Sequence, residues 1–176
     1  MYKRQLYTLT GVGGHWAQDP PYYAEVVAFE TGEEMDWAHI RLIGWRGWQQ
    51  DRWIYFYHNS GPVVVVDEAR GPAGAKGAVI WHLVGGEKTG AYRFRLGGSS
   101  GSAEVLLLPL DGGGRTAVLE RAGNSSGLDV VYTGTSGLRA AMVFLYGEWV
   151  GAEVLEDAGR LELRQVDSRT INLSLP

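Results

Sequence analysis

The chain has no cysteine among its 176 residues. Disulfides and thiolate metal sites are therefore excluded, while the redox compartment stays open. Proline is scarce, with 6 residues, and no apolar run is long enough for a membrane-spanning helix. No apolar signal segment follows the polar N-terminus. No stretch of helix length favours a 3.6-residue apolar period over alternation, and no propeller or solenoid repeat recurs. The sequence also lacks a P-loop, H-E-x-x-H, G-x-S-x-G and a cysteine nucleophile. The histidines are His15, His39, His58 and His82, with no pair at i, i+2 or i, i+4 spacing. No catalytic residue, metal ligand or cofactor is therefore assigned. The net charge of −4 argues against a general nucleic-acid binder but permits a local basic groove.

What is present is glycine, 26 residues of it, set between short apolar runs in a chain that is 45% apolar. Frequent turns between alternating segments predict an all-β protein. The clearest stretch runs from Trp45 to Val84. Arg52 to Tyr57 is aromatic and β-branched, Val63 to Val66 is apolar throughout, and Ala78 to Val84 is a third strand. An uninterrupted apolar strand implies that both of its faces are covered. The run AAMVFLY, ending at Tyr146, implies the same. Further strands are expected at Leu6 to Thr10, Tyr22 to Phe29, Met35 to Trp45, Ala91 to Leu96, Ala103 to Leu110, Thr116 to Ala122 and Leu128 to Thr133. A closing hairpin places Leu161, Leu163, Ile171, Leu173 and Leu175 inward. The fold class that follows is a large antiparallel two-sheet β-sandwich of about a dozen strands.

The codons TAT AAG AGA CAG, the end of a transposon sequence used in preparing shotgun DNA libraries, would encode Tyr2-Lys3-Arg4-Gln5. Residues 1–5 are therefore expected to be a non-native scar, and residues 6–176 a single β-sandwich domain. On this reading the frame begins at a cut DNA end, and the chain is the C-terminal piece of a longer protein.

Trp16, Trp45, Trp48 and Trp53 are candidates for stacking on sugar rings, since indole offers an apolar platform with a polar edge. Arg41, Arg46 and Arg52 lie nearby in sequence and suit bidentate contacts to carboxylates or sulfates. Trp45, Arg46, Trp48 and Arg52 are the carbohydrate-contact candidates. The competing reading makes Trp37 and Trp53 core fillers and packs Trp45 and Trp48 under a loop. His82 reads as a hydrogen-bonded sheet residue and His58 as a turn residue. Asp67 reads as a turn acceptor of backbone hydrogen bonds. Arg93 and Arg95 read as a solvated strand face. Asp51 and Glu68 offer no evident acid–base dyad.

The central stretch resembles the C-terminal β-sandwich of heparinase II/III-like proteins. In that family an Arg opens an aromatic-rich strand. A turn follows, then an apolar strand ending in Asp, a Gly-containing loop, and a strand with a Trp-His-Leu element. Arg52 to Tyr57, Pro62 to Asp67, Gly71 to Gly77 and Trp81-His82-Leu83 match this order. The ending GRLELRQVDSRTINLSLP resembles the family's closing hairpin. The resemblance implies a parent chain that pairs an α/α toroid with this sandwich and cleaves uronate-containing polysaccharides by β-elimination. It places the Tyr, Asn and His residues of that chemistry outside the motifs matched here. The present chain alone is then expected to be inactive, serving as scaffold and part of the substrate cleft. An acidic polysaccharide and the missing N-terminal toroid are the implied partners, and the implied location is secreted or periplasmic. The alternative is a non-catalytic carbohydrate-binding or structural sandwich.

Overall fold

A computed structural model describes residues 23–45, 47–98, 101–121, 127–167 and 169–176. The expected strand at residues 6–10, the scar at 1–5 and Arg46 lie outside the described residues. Among the described residues every strand pairing is antiparallel. The main sheet has eight strands. They are β1 (Tyr23–Thr31), β2 (Met35–Trp45), β3 (Trp48–Tyr57), β4 (Val63–Arg70), β6 (Gly86–Lys88), β7 (Arg93–Gly98), β8 (Gly101–Pro109) and β11 (Gly137–Tyr146). Across the sheet they run β1-β2-β3-β4-β11-β8-β7-β6. One small sheet has the order β5-β10-β9, from β5 (Lys76–Val84), β9 (Arg115–Arg121) and β10 (Gly127–Thr135). Another has the order β12-β13-β14, from β12 (Glu153–Asp157), β13 (Arg160–Arg164) and β14 (Thr170–Ser174).

The architecture is the expected all-β sandwich, with its second layer divided between the two faces of the main sheet. Successive residues of a strand point to opposite faces. On one face Val64, Val66, Leu106, Ala141, Val143 and Leu145 pack with Leu161, Leu163 and Leu173 of the β12–β14 sheet. On the other, Ala69, Val105, Leu107, Ala140 and Met142 pack with Val79, Leu83, Val130 and Tyr132 of the β5–β10–β9 sheet. Strands β4, β11 and β8 are thus a middle layer, which is why their sequences carry unbroken apolar runs. Each fully buried Val or Leu there contributes about 1.5–3 kcal/mol.

Between β10 and β11 the chain passes from one layer to the next at a single residue. Ser136 links β10 to β11 with φ +64°. Its N–H donates to the Ala75 carbonyl at 2.7 Å, and its own carbonyl accepts from Gly71 N–H at 2.9 Å. Its hydroxyl accepts from Gly74 N–H at 2.7 Å. These bonds tie the Gly71–Gly77 loop to the layer crossing and fix the end of the sandwich where β4 and β11 meet β5.

Candidate functional site

Strands β2 and β3 extend the main sheet, and polar groups gather on both of their faces. Arg52 and Gln50 share a face with Asp67 on the neighbouring β4. Asp67 is fully buried. Its Oδ1 accepts from Arg52 Nε at 2.7 Å and Gln50 Nε2 at 2.9 Å, and its Oδ2 accepts from Arg52 Nη2 at 3.0 Å. The Arg52 guanidinium also lies 4.9 Å from the Trp81 ring centroid. Asp67 is therefore not a turn acceptor. Strand β4 runs on to Arg70, and the carboxylate is neutralised by side chains from the next strand. Trp48 is half-buried, with its ring over Gly71 and Gly77, where an added Cβ would come within 2.4 Å of it. Trp45 closes β2 and pairs with Trp48 in the backbone register.

The opposite face carries a row that crosses four strands. Arg41 on β2 is opposite Asp51 on β3, Asp51 is opposite Glu68 on β4, and Glu68 is opposite Arg139 on β11. Asp51 is only 4% exposed. Its Oδ1 accepts from Arg41 Nε and His39 Nε2, both at 2.7 Å, and its Oδ2 accepts from Gln49 Nε2 at 2.6 Å. Burial works against its charge, but the donors from Gln49, Arg41 and His39 outweigh burial and hold its carboxyl below the usual range. His39 in turn stacks on Trp53 with ring centroids 4.5 Å apart. Glu68 Oε1 accepts from Arg70 Nε at 2.9 Å, and Arg139 Nη2 donates to the Pro176 carbonyl. Arg41, Trp53, Arg70 and Arg139 thereby wall a cleft of about 330 Å³.

Trp53 and Trp37 pack against the core as the competing reading expects. His82 is a sheet histidine, its Nδ1 2.8 Å from Asp129 Oδ1. His58 serves its turn, with Nδ1 3.0 Å from the Glu33 carbonyl and Nε2 3.1 Å from Asp36 Oδ2. Arg93 departs from the expected solvated face. It donates to Glu104 at 2.5 Å and to the Ala152 carbonyl at 3.1 Å, bridging the main sheet to the segment before β12. Arg41 was visible as a sequence neighbour of the tryptophans. Arg70 and Arg139 were not, because they reach the cleft only through the pairing of β4 with β11. Chemically, the cleft presents guanidinium donors suited to carboxylate or sulfate groups. Among the described residues no three His, Cys, Asp or Glu side chains could hold a metal ion. No helix among them is long and apolar enough to cross a membrane.

Fold and cleft together define an antiparallel β-sandwich with an arginine-walled polar cleft at one side of its main sheet. No family model and no curated protein sequence matches the chain. Solved structures do match in fold. The heparan sulfate lyase HepC of Pedobacter heparinus superposes with a TM-score of 0.61 at 17% identity, over 86% of this chain and 28% of that one. A mutant of the same lyase gives 0.61 at 19% identity, over 87% and 28%. A further heparinase III structure gives 0.59 at 12% identity, over 86% and 28%. The chain spans about 28% of the length of these structures. Its fold is that of one part of heparinase III structures, in line with the resemblance seen in the central stretch.

Proposed function

We propose that the chain is the C-terminal β-sandwich of a heparinase II/III-like polysaccharide lyase, serving as scaffold and as part of the substrate cleft. The observation that carries this is the fold match over 87% of this chain but only 28% of the lyase chain. On this reading the parent chain supplies an α/α toroid with the proton-abstracting residues, and the sandwich supplies a rigid wall. The Arg41, Arg70 and Arg139 cleft supports the reading, because three guanidinium groups on one wall suit an acidic glycan. Trp45, Arg46, Trp48 and Arg52 stay as candidate glycan contacts. Of these, Arg52 is held by buried Asp67 beneath Trp81, whereas Arg41, Arg70 and Arg139, though paired with Asp51, Glu68 and Pro176, line the open cleft and are the better-placed cations. The parent would act outside the cytoplasm, where such polysaccharides occur.

A second reading is a non-catalytic carbohydrate-binding or structural sandwich, and the Trp48 ring packed over Gly71 and Gly77 favours its structural form. The DNA upstream of Tyr2 separates the two. An open frame encoding several hundred residues of amphipathic helices supports the lyase domain. A stop codon and ribosome-binding site close upstream contradict it and leave the non-catalytic sandwich.

A further inference from the structure

We infer that a second, longer groove continues the Arg41 cleft around the end of the sandwich and forms a track for an acidic polysaccharide. The two depressions share Glu68, Arg70 and Arg139. From these residues the second runs over Ala78, Ile80 and Val131 of the β5–β10–β9 sheet and encloses about 1170 Å³. It adds Lys76 and Arg115, both exposed. Among the described residues neither has an ion-pair partner.

Along the combined path five cations, Arg41, Arg70, Lys76, Arg115 and Arg139, face four carboxylates, those of Asp51, Glu68, Asp111 and the C-terminal Pro176. Those carboxylates are already engaged. Asp51 holds Arg41, His39 and Gln49, and Glu68 holds Arg70. Asp111 accepts from the Gly113, Gly114 and Arg139 backbone N–H groups and from the Tyr132 hydroxyl. With Arg41, Arg70 and Arg139 already paired to Asp51, Glu68 and Pro176, it is Lys76 and Arg115 that leave the path net positive on a chain of net charge −4.

The spacing of groups favours a glycan over a nucleic acid. Thr133, Thr135 and Ser136 line the longer groove and offer hydroxyl partners. Ile80, Val131 and Leu119 offer apolar surface to the C–H faces of sugar rings. The interspersed carboxylates would oppose a phosphate at every step, whereas a glycan with carboxylates or sulfates on some rings can place neutral rings beside them. The inference extends the acidic-glycan reading to new residues. It is tested by binding to this chain alone, so its failure is distinct from absence of lyase activity in the parent.

The experiment is fluorescence anisotropy of the 176-residue chain with a labelled oligogalacturonate and a labelled sulfated dextran fragment. Uncharged dextran and single-stranded DNA serve as comparison ligands. The expected result is binding of at least one acidic glycan, lost at high salt, with no binding of uncharged dextran. The double variant Lys76→Ser/Arg115→Ser should weaken that binding about tenfold or more while leaving the melting temperature unchanged, and Lys76→Glu alone should act in the same direction. The control pair Lys88→Ser/Arg160→Ser, exposed and off the groove, should change it by less than about twofold. No binding of either acidic glycan, equal losses in the two double variants, or tighter binding of DNA would each overturn the proposal.

Discussion

Arg52 meets Asp67 edge-on, with Nε and Nη2 donating to the two carboxylate oxygens at 2.7 and 3.0 Å across the β3–β4 pair. The pair lies beneath Trp81, on the face of the main sheet covered by the β5–β10–β9 sheet. A carboxylate with no solvent exposure depends on this partner for its charge to be tolerated. Arg52→Ala should therefore destabilise the chain by about 3–5 kcal/mol, seen as a lower urea midpoint with an unchanged slope. Arg52→Met combined with Asp67→Leu should recover most of that loss. A single variant as stable as the native chain would contradict the assignment.

Gly77 is required by its neighbour. An added Cβ would sit 2.4 Å from the Trp48 ring, and the same holds for Gly71. Gly77→Ala should cost about 1–3 kcal/mol through overpacking. Trp48→Ala in the Gly77→Ala background should remove the clash, so the alanine should cost less there than in the native background. A thermodynamic cycle measures the coupling.

His58 makes stability depend on pH. Hydrogen bonds from its ring to Asp36 and to the Glu33 carbonyl raise its pKa above 6.5. A raised folded pKa means that the contribution is fully present below pH 6.5 and fades as pH rises through the folded value. His58→Gln should flatten the stability profile across that window, and parallel profiles would contradict the clamp.

Asp51 works at the acid end. Its lowered pKa implies stability that is present above pH 3.8 and lost as pH falls through the folded value. Asp51→Asn should lower stability at neutral pH and remove this part of the acid limb, measured by denaturant titration at a series of pH values.

The strands were legible because alternation and turn chemistry are local. Val63–Val66 and the run ending at Tyr146 announced two covered faces, and β4 and β11 are in fact the middle layer. The division of the second layer was not legible, since no local pattern says which face of the main sheet receives Leu161 and which receives Val130. Strand β12 gave no alternation to read because all of it except Val154 is exposed. Of the candidate site, Arg41 and Trp53 could be placed on one face by counting along β2 and β3. Arg70 and Arg139 join them through the Glu68↔Arg139 register, a pairing of residues about seventy positions apart that no spacing rule anticipates. The role of Asp67 was missed for a similar reason: its partners Arg52 and Gln50 come from across the β3–β4 turn.

The most direct measurement of the central claim is a lyase assay on the full-length parent protein from the source locus. Uronate-containing polysaccharides are the substrates, and the ultraviolet absorbance of the unsaturated uronate product is followed. The parent should turn these substrates over, and the 176-residue chain alone should not. Substituting Arg41, Arg70 and Arg139 of the cleft wall should raise KM. A parent inactive on every uronate polysaccharide, or activity of the 176-residue chain by itself, would contradict the lyase-domain assignment.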